Sequence, residues 1–276
     1  MILHHMLVRL AACLVALALA GTARADELVI PGSGNPEYVL GQLAAAFNAH
    51  QTRHRVSVPP SSGTAGALRD VESGAAVLGR VGRVLKDEER ARGLVYLPLG
   101  RDPVTFVTGA AGSVRSITPE QAEGVYRGTV TDWSALGGKP GPIRAIGREA
   151  TDASYQAVSR HIKGFNGITF GDSVKLVHRD PQAIELLDRY SGSLGFMNRS
   201  ALAAAKTRLV LLALDGAEPT AQNLEAGKYP LWIEFGLVHK TGALTGAAQA
   251  FVEFVRGPAG QQLLRTHGIL PAPAPR

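Results

Sequence analysis

Apolar positions along the chain fall into short runs broken by Gly, Pro and Ser, and the runs alternate between two periods. Leu28-Val29-Ile30 reads as a buried strand, is stopped by Pro31-Gly32-Ser33-Gly34-Asn35-Pro36, and gives way to helical periodicity over 38–47. Val56-Ser57-Val58 repeats the strand, Pro59-Pro60-Ser61-Ser62-Gly63-Thr64 repeats the break, and 65–73 reads as a helix ending at Gly74. A strand, a Gly/Ser loop and a helix, twice in succession, predict an α/β fold with a mostly parallel sheet. Further strands are expected over 104–108, 143–146, 194–196, 209–214 and 231–238. Thr118-Pro119-Glu120 has the cap, proline and acid of a helix start, and further helices are expected over 155–162, 181–189, 245–256 and 258–267. The tail 271–276 alternates Pro and Ala and is expected to fray. There is no internal repeat of solenoid length.

Residues 1–25 follow a different logic. Arg9 precedes an apolar stretch over 10–20, shorter than the ~20 residues a spanning helix needs, and small residues then end in Ala23-Arg24-Ala25. This pattern predicts a secretory signal peptide cleaved after Ala25 and a periplasmic location. Leu10-Ala11-Ala12-Cys13 superficially resembles a lipobox, but the apolar stretch follows the cysteine instead of preceding it, which argues against lipidation. Cys13 is the only cysteine, so the chain from Asp26 onward has no disulfide or thiolate metal site and suits an oxidising compartment. An apolar share of 45% in 276 residues excludes a mostly disordered chain. Loss of Arg9 and Arg24 takes the formal charge from +6 to +4, which suits an anionic ligand but is no nucleic-acid footprint.

Enzyme signatures are missing. There is no H-E-x-x-H and no G-x-S-x-G; Ser191-Gly192-Ser193-Leu194-Gly195 lacks the leading Gly. Gly138-Lys139 runs into Pro140 and is no phosphate-binding loop of a nucleotidase, and Gly32-Ser33-Gly34 has Glu37 where a dinucleotide fingerprint needs its third Gly. His50 and His54 are spaced for one helix face, but Asn48, Gln51 and Arg53 around them read as a solvated helix end. No catalytic residue, metal or cofactor is expected.

What remains is a set of small polar loops, each running into a helix: Gly32 to Asn35, Ser61 to Thr64, and Arg148-Glu149-Ala150-Thr151-Asp152-Ala153-Ser154. Helix N-termini leave amides unpaired and carry a partial positive charge, and small hydroxyl residues let an oxyanion reach them. The same residue types cap helices, so any one loop is a cap as readily as a ligand seat. Three such loops, one with an arginine, shift the balance toward a site.

These residues resemble the periplasmic phosphate-binding proteins of ABC importers, within the type II solute-binding fold, over almost the whole chain after residue 25. Gly32-Ser33-Gly34-Asn35 resembles the family's G-S-x-T loop, and Ser61-Ser62-Gly63-Thr64-Ala65-Gly66 its Ser/Gly run before a helix. The stretch from Ala76 through Arg83, then Asp87-Glu88-Glu89, resembles its A-D-I-A-x-x-S-R segment, and Arg101-Asp102-Pro103-Val104 the start of its domain-crossing strand. The run from Val125 to Gly138, containing Gly128-Thr129-Val130-Thr131-Asp132-Trp133, is the most specific match, with Trp133 expected as a core anchor. Gly147-Arg148-Glu149 resembles the G-R-E whose arginine pairs with phosphate, and Gly192-Ser193-Leu194-Gly195-Phe196, Tyr229-Pro230-Leu231 and 251–261 resemble later family segments.

The resemblance implies a two-lobed fold with a hinge, lobe one over 26–104 with 226–276 and lobe two over 105–225. A ligand would be captured between the lobes and a membrane permease would read the closed form. It implies phosphate or a related oxyanion held by Ser33, Gly34, Asn35, Ser62, Gly63, Thr64, Arg148, Asp152, Ala153 and Ser154, by a monomer that is no enzyme. Departures fall on the ligand loops: Asp152 stands where the family has a serine, Val77 where it has an aspartate, Gly82 where it has a polar residue and Asn35 where it has a threonine. A carboxylate ~4 Å from a phosphate oxygen repels it by roughly 1–4 kcal/mol, depending on the local dielectric. Asp152 therefore reads as a helix cap, as an acceptor for the proton of a hydrogen phosphate, or as a sign of another ligand or of a protein-adaptor role.

Overall fold

The computed structural model describes residues 26–110, 112–205 and 208–273. The signal-peptide expectation over 1–25 and the last residues of the Pro/Ala tail lie outside the described residues. Two βα units open the chain as the pattern predicts: β1 (Asp26–Val29), α1 (Glu37–His50), β2 (His54–Ser57) and α2 (Gly63–Ser73), with β1 and β2 parallel. α1 buries Val39, Leu40, Leu43 and Phe47 on one stripe, and Gly74 ends α2 in the left-handed region at φ 79°. Next come β3 (Gly79–Val81), α3 (Asp87–Arg90), β4 (Leu94–Thr108), β5 (Ser116–Ile117) and α4 (Pro119–Arg127). Thr118 and Gln121 close a capping box at the start of α4. β6 (Arg144–Arg148), α5 (Ala153–His161), β7 (Lys175–Val177), α6 (Asp180–Arg189), β8 (Ser193–Asn198), α7 (Arg199–Ala204), β9 (Val210–Leu214) and α8 (Ala221–Glu225) follow. β10 (Trp232–Lys240), α9 (Gly246–Arg256), α10 (Pro258–Thr266) and β11 (Leu270–Pro271) complete the described chain.

The larger sheet has the order β3-β10-β4-β8-β6-β7, with β9 and β11 also on β4. It is mixed, which corrects the expectation of a mostly parallel sheet. β6 runs parallel to β7 and β8, but β10 is antiparallel to β3 and β4, and β4 is antiparallel to β8, β9 and β11. The reason is the route of the chain. β4 leaves one half of the molecule and β10 returns to it, so the two crossing segments must run in opposite directions. β4 pairs with β10 over 94–103 and with β8 and β9 over 104–108. Only its second part reads as a strand in the sequence, because Pro98 and Pro103 interrupt the first; Pro98 sits at a register shift opposite Gly236.

Buried side chains gather on either side of this crossing. Leu28, Ile30, Leu40, Phe47, Phe235, Phe251 and Val255 pack on one side. Phe106, Tyr126, Phe165 and Phe196 form an edge-on aromatic cluster on the other, with Leu194, Trp133 and Ile233 around it. Trp133 is a core anchor whose indole N–H donates to the Gly192 carbonyl at 3.1 Å. The tail expectation needs a correction at its start: Leu270 and Pro271 pair with Arg101 and Gly100 of β4, and the Ala272 amide donates to Leu99 at 2.9 Å. Ile269 is fully buried and draws this segment onto the sheet edge. No helix among the described residues is long and apolar enough to cross a membrane.

Asp102, at the crossing, is buried and faces no cation within ion-pair distance among the described residues. Burial lifts its carboxyl to about 6, against hydrogen bonds from Ser200 and Asn198 that act to lower it. The folded protein therefore binds this proton more tightly than the unfolded chain, and this group lowers stability as pH rises from about 4 to about 6. Urea unfolding across that interval should show a loss of about 3 kcal/mol from this source, absent in Asp102→Asn.

Candidate ligand-binding cleft

The three loops singled out in the sequence open onto one cleft of about 790 Å³. Its first wall is built by a buried arginine. Arg80, on β3, is fully buried and donates to the carbonyls of Ser33 at 2.8 Å, Ile30 at 2.5 Å and Pro59 at 2.7 Å, and to Glu37 Oε2 at 3.0 Å. One side chain thus ties the loop before α1 to the loop before α2. Burial weakens the guanidinium's hold on its proton and Glu37 opposes that. Gly32 completes the knot. Its φ is 138°, and a Cβ there would fall 2.1 Å from the Arg80 carbonyl oxygen. Ser62 donates its amide, and Ser61 its hydroxyl, to the Gly32 carbonyl.

Gly82 lies where these loops meet. A Cβ on it would sit 2.7 Å from Ser33 Oγ and 3.4 Å from Asn35 Oδ1, and its amide donates to Thr64 Oγ1 at 3.4 Å. Ser33, Asn35 and Thr64 therefore converge on one point of the wall. The Ser62 side chain does not cap α2, Ser61 Oγ accepts the Gly63 amide at 3.2 Å, and Gly63, Thr64 and Ala65 of the first turn line the cleft. Its N-terminal amides and partial positive charge are directed there without a resident carboxylate.

The opposite wall is different. Arg148 ends β6 and is 3% exposed. Its Nη2 donates to Asp152 Oδ2 at 2.6 Å, and its Nη1 lies 2.9 Å from Asp180 Oδ1. Asp152 caps α5: its Oδ1 accepts the amides of Ser154 at 2.9 Å and Tyr155 at 3.1 Å. This carboxylate thus takes two helix amides and one guanidinium nitrogen, and leaves Arg148 Nε and Nη1 buried without a hydrogen-bond partner. Burial acts to strip Arg148 of its proton, but Asp180 and Asp152 overcome that and raise its pKa. Burial raises the Asp180 carboxyl; Arg148 opposes the shift, while Asp152 and Glu37 across the cleft add to it. Arg83 is held by Glu89 through two contacts of 2.7 and 2.8 Å, which bring the Glu89 carboxyl down to about 2. His178 and Glu149 pair at 2.8 Å at the rim. Arg179 lines the cleft and pairs with no carboxylate among the described residues.

Of the expected residues, Ser33, Gly34, Asn35, Gly63, Thr64, Arg148, Asp152 and Ala153 line this cleft. Ser62 and Ser154 do not. Ser62 is exposed and lies against Gly66 on α2, while Ser154 is fully buried in the first turn of α5 with its Oγ unpartnered. The sequence reading did not find Glu37, Tyr38, Arg83, Arg179 or Asp180, which also line it. Asp180 and Arg179 were discoverable only with β7 in place, since they follow its C-terminal end just as Arg148 ends β6.

Sheet strands that end at a cleft between two halves, with helix N-termini lining it, define a two-lobed α/β binding fold rather than a closed barrel or bundle. A family model described as the PBP superfamily domain matches residues 18–258, and the chain belongs to that family. It is 23% identical over 253 residues to the phosphate-binding protein PstS of Bacillus subtilis (strain 168), covering 89% of this chain and 80% of that one. A phosphate ABC transporter substrate-binding protein from Clostridium perfringens, solved with bound phosphate, superposes with a TM-score of 0.77 at 21% identity, over 90% of this chain and all of that one. An ABC-type phosphate transport receptor from Vibrio cholerae gives 0.66 at 21% identity over the same shares. These two structures show the fold.

Replacing Arg80 by Met should leave three buried carbonyls without donors and lower stability by about 3–5 kcal/mol, measured by chemical denaturation. Arg80→Lys keeps the charge but not the fork of donors and should recover less than half of that loss.

Proposed function

We propose that the chain is the solute-binding receptor of an ABC importer, exported and monomeric, and that it captures phosphate or a related oxyanion between two lobes, 26–104 with 226–276 and 105–225. One observation carries the reading: the N-terminus of α2, with no carboxylate on its amides, opens with Ser33 and Thr64 onto the cleft that Arg148 lines from the other side. The ligand named for the Bacillus subtilis relative, and the phosphate bound in the Clostridium perfringens structure, support the ligand class. Binding rests mainly on lobe one, where amides and hydroxyls are free of resident carboxylates. Closure buries the anion, and a membrane permease reads the closed form. The chain binds its ligand and does not turn it over; a chromogenic phosphate ester should stay intact in its presence.

Asp152 favours a second reading, in which the scaffold serves another ligand or a protein partner, because its carboxylate lies on the donors an oxyanion would need. Calorimetric titration with phosphate, after stripping by unfolding and refolding, separates the two. The first reading expects binding by the wild type, weakened at least tenfold in Thr64→Val, and strengthened about tenfold in Asp152→Ser as a like charge is removed. Heat in Asp152→Ser alone, with none in the wild type, would establish the second reading.

A further inference from the structure

Asp102 is a buried carboxylate that the cleft does not contain. It lies on β4 beside the point where that strand changes partners from β10 to β8. Three donors converge on it: Asn198 Nδ2 at 2.8 Å, the Ser200 amide at 3.2 Å and the Ser200 hydroxyl. Asn198 and Ser200 are themselves fully buried. An apolar side chain would fill this position at lower cost, since a buried charge without a cation is expensive even when hydrogen-bonded. Asn198 carries the network further. The same Nδ2 donates to the Asn35 carbonyl at 3.2 Å, and Asn35 Nδ2 returns a donor to Asn198 Oδ1 at 3.5 Å. Asn35 belongs to the loop before α1 and lines the cleft, whereas Asn198 pairs in register with Val104 on the other side of the crossing. The contacts between residues 35 and 198 therefore span the two halves, next to the strands about which they would bend.

We infer that Asp102 and Asn198 are positioning residues that hold the Asn35 loop in its ligand-ready place from the hinge, so that the grip of this loop on ligand depends on how the crossing strands are set. The inference rests on the receptor reading for its ligand but not for its geometry. A carboxylate accepts on both oxygens, which fixes the Asn198 amide with its nitrogen toward Asp102 and Asn35. An asparagine at 102 must turn an N–H toward one of the present donors. Either the Ser200 amide or the Asn198 amide then loses its acceptor, and relief by flipping Asn198 breaks both contacts to Asn35. α7, which follows Asn198, also touches lobe one, where the Tyr38 hydroxyl reaches the Ala203 carbonyl at 3.5 Å.

The test is a double-mutant cycle on the full chain with Asp102→Asn, Asn35→Ala and the pair, each in a Trp133→Phe background. Tryptophan emission then comes from Trp232, which pairs with Pro103 and lies under the Arg101 guanidinium at 4.3 Å. The probe is inorganic phosphate. Asp102→Asn is expected to weaken phosphate binding about tenfold and to shift Trp232 emission, and to add little once Asn35 is already Ala. Equal losses of affinity from Asp102→Asn with and without Asn35 would overturn the relay and leave Asp102 a local packing residue. If the wild type binds no phosphate, the receptor reading for that ligand fails while the relay is still decided by thermal unfolding. Single drops in Tm that exceed the combined drop when summed support it, and strict additivity overturns it.

Discussion

An arginine buried in a protein interior must be ringed by acceptors, because an unpaired charge there costs several kcal/mol. This chain meets that constraint in full at Arg80, on one wall of the cleft, and only in part at Arg148, on the other. Arg80 commits its donors to three loop carbonyls and to Glu37, and the loops before α1 and α2 take their shape around it. Arg148 donates Nη2 to Asp152 and sets Nη1 beside Asp180, while its Nε and Nη1 make no hydrogen bond, and the pairing draws the starts of α5 and α6 to the end of β6. Both arginines are ties within their own wall. The loops before α1, α2, α5 and α6 are tied by one or the other.

What the cleft offers a ligand is set by what these ties leave over. On the Arg148 wall the helix N-terminus is occupied by a carboxylate from the chain itself, and the guanidinium faces two negative charges for its one positive charge. On the Arg80 wall the first turn of α2 has no such occupant. On that side the lining offers amides and hydroxyls, whose strength toward any ligand depends on exclusion of water more than on net charge. Arg179 is the guanidinium of the lining that pairs with no carboxylate among the described residues, and its long exposed side chain supplies attraction at the rim, where screening is strong.

Local signals in the sequence were enough for the elements that depend on local physics. The two opening βα units, the capped start of α4 and the amphipathic α9 all follow from periodicity and caps, and the structure has them. The loops before α1, α2 and α5 were legible as well, because Gly, Ser and Thr in front of a helix have few other uses. Long-range pairing was not legible. β4 carries two prolines and becomes a 15-residue strand only because β10, β8 and β9 meet it in succession. β3 and β7 are short and make sense only as sheet neighbours of β10 and β6. Arg80 looked like one residue of a family segment, since nothing in its neighbourhood of sequence reveals that Ile30, Ser33 and Pro59 turn their carbonyls toward it. Asp152 was legible as a cap and as a departure, but its hold on Arg148 depends on β6 and α5 meeting at their ends.

The same antiparallel crossing that made the sheet mixed carries the chain between the two halves over residues 102–104 and 231–233, where adjacent strands joined by ladder hydrogen bonds bend together more readily than they slide. Glu37 and Asp180 both line the cleft, and each is tied to a buried arginine beside it, so neither carboxylate stands bare toward the other wall.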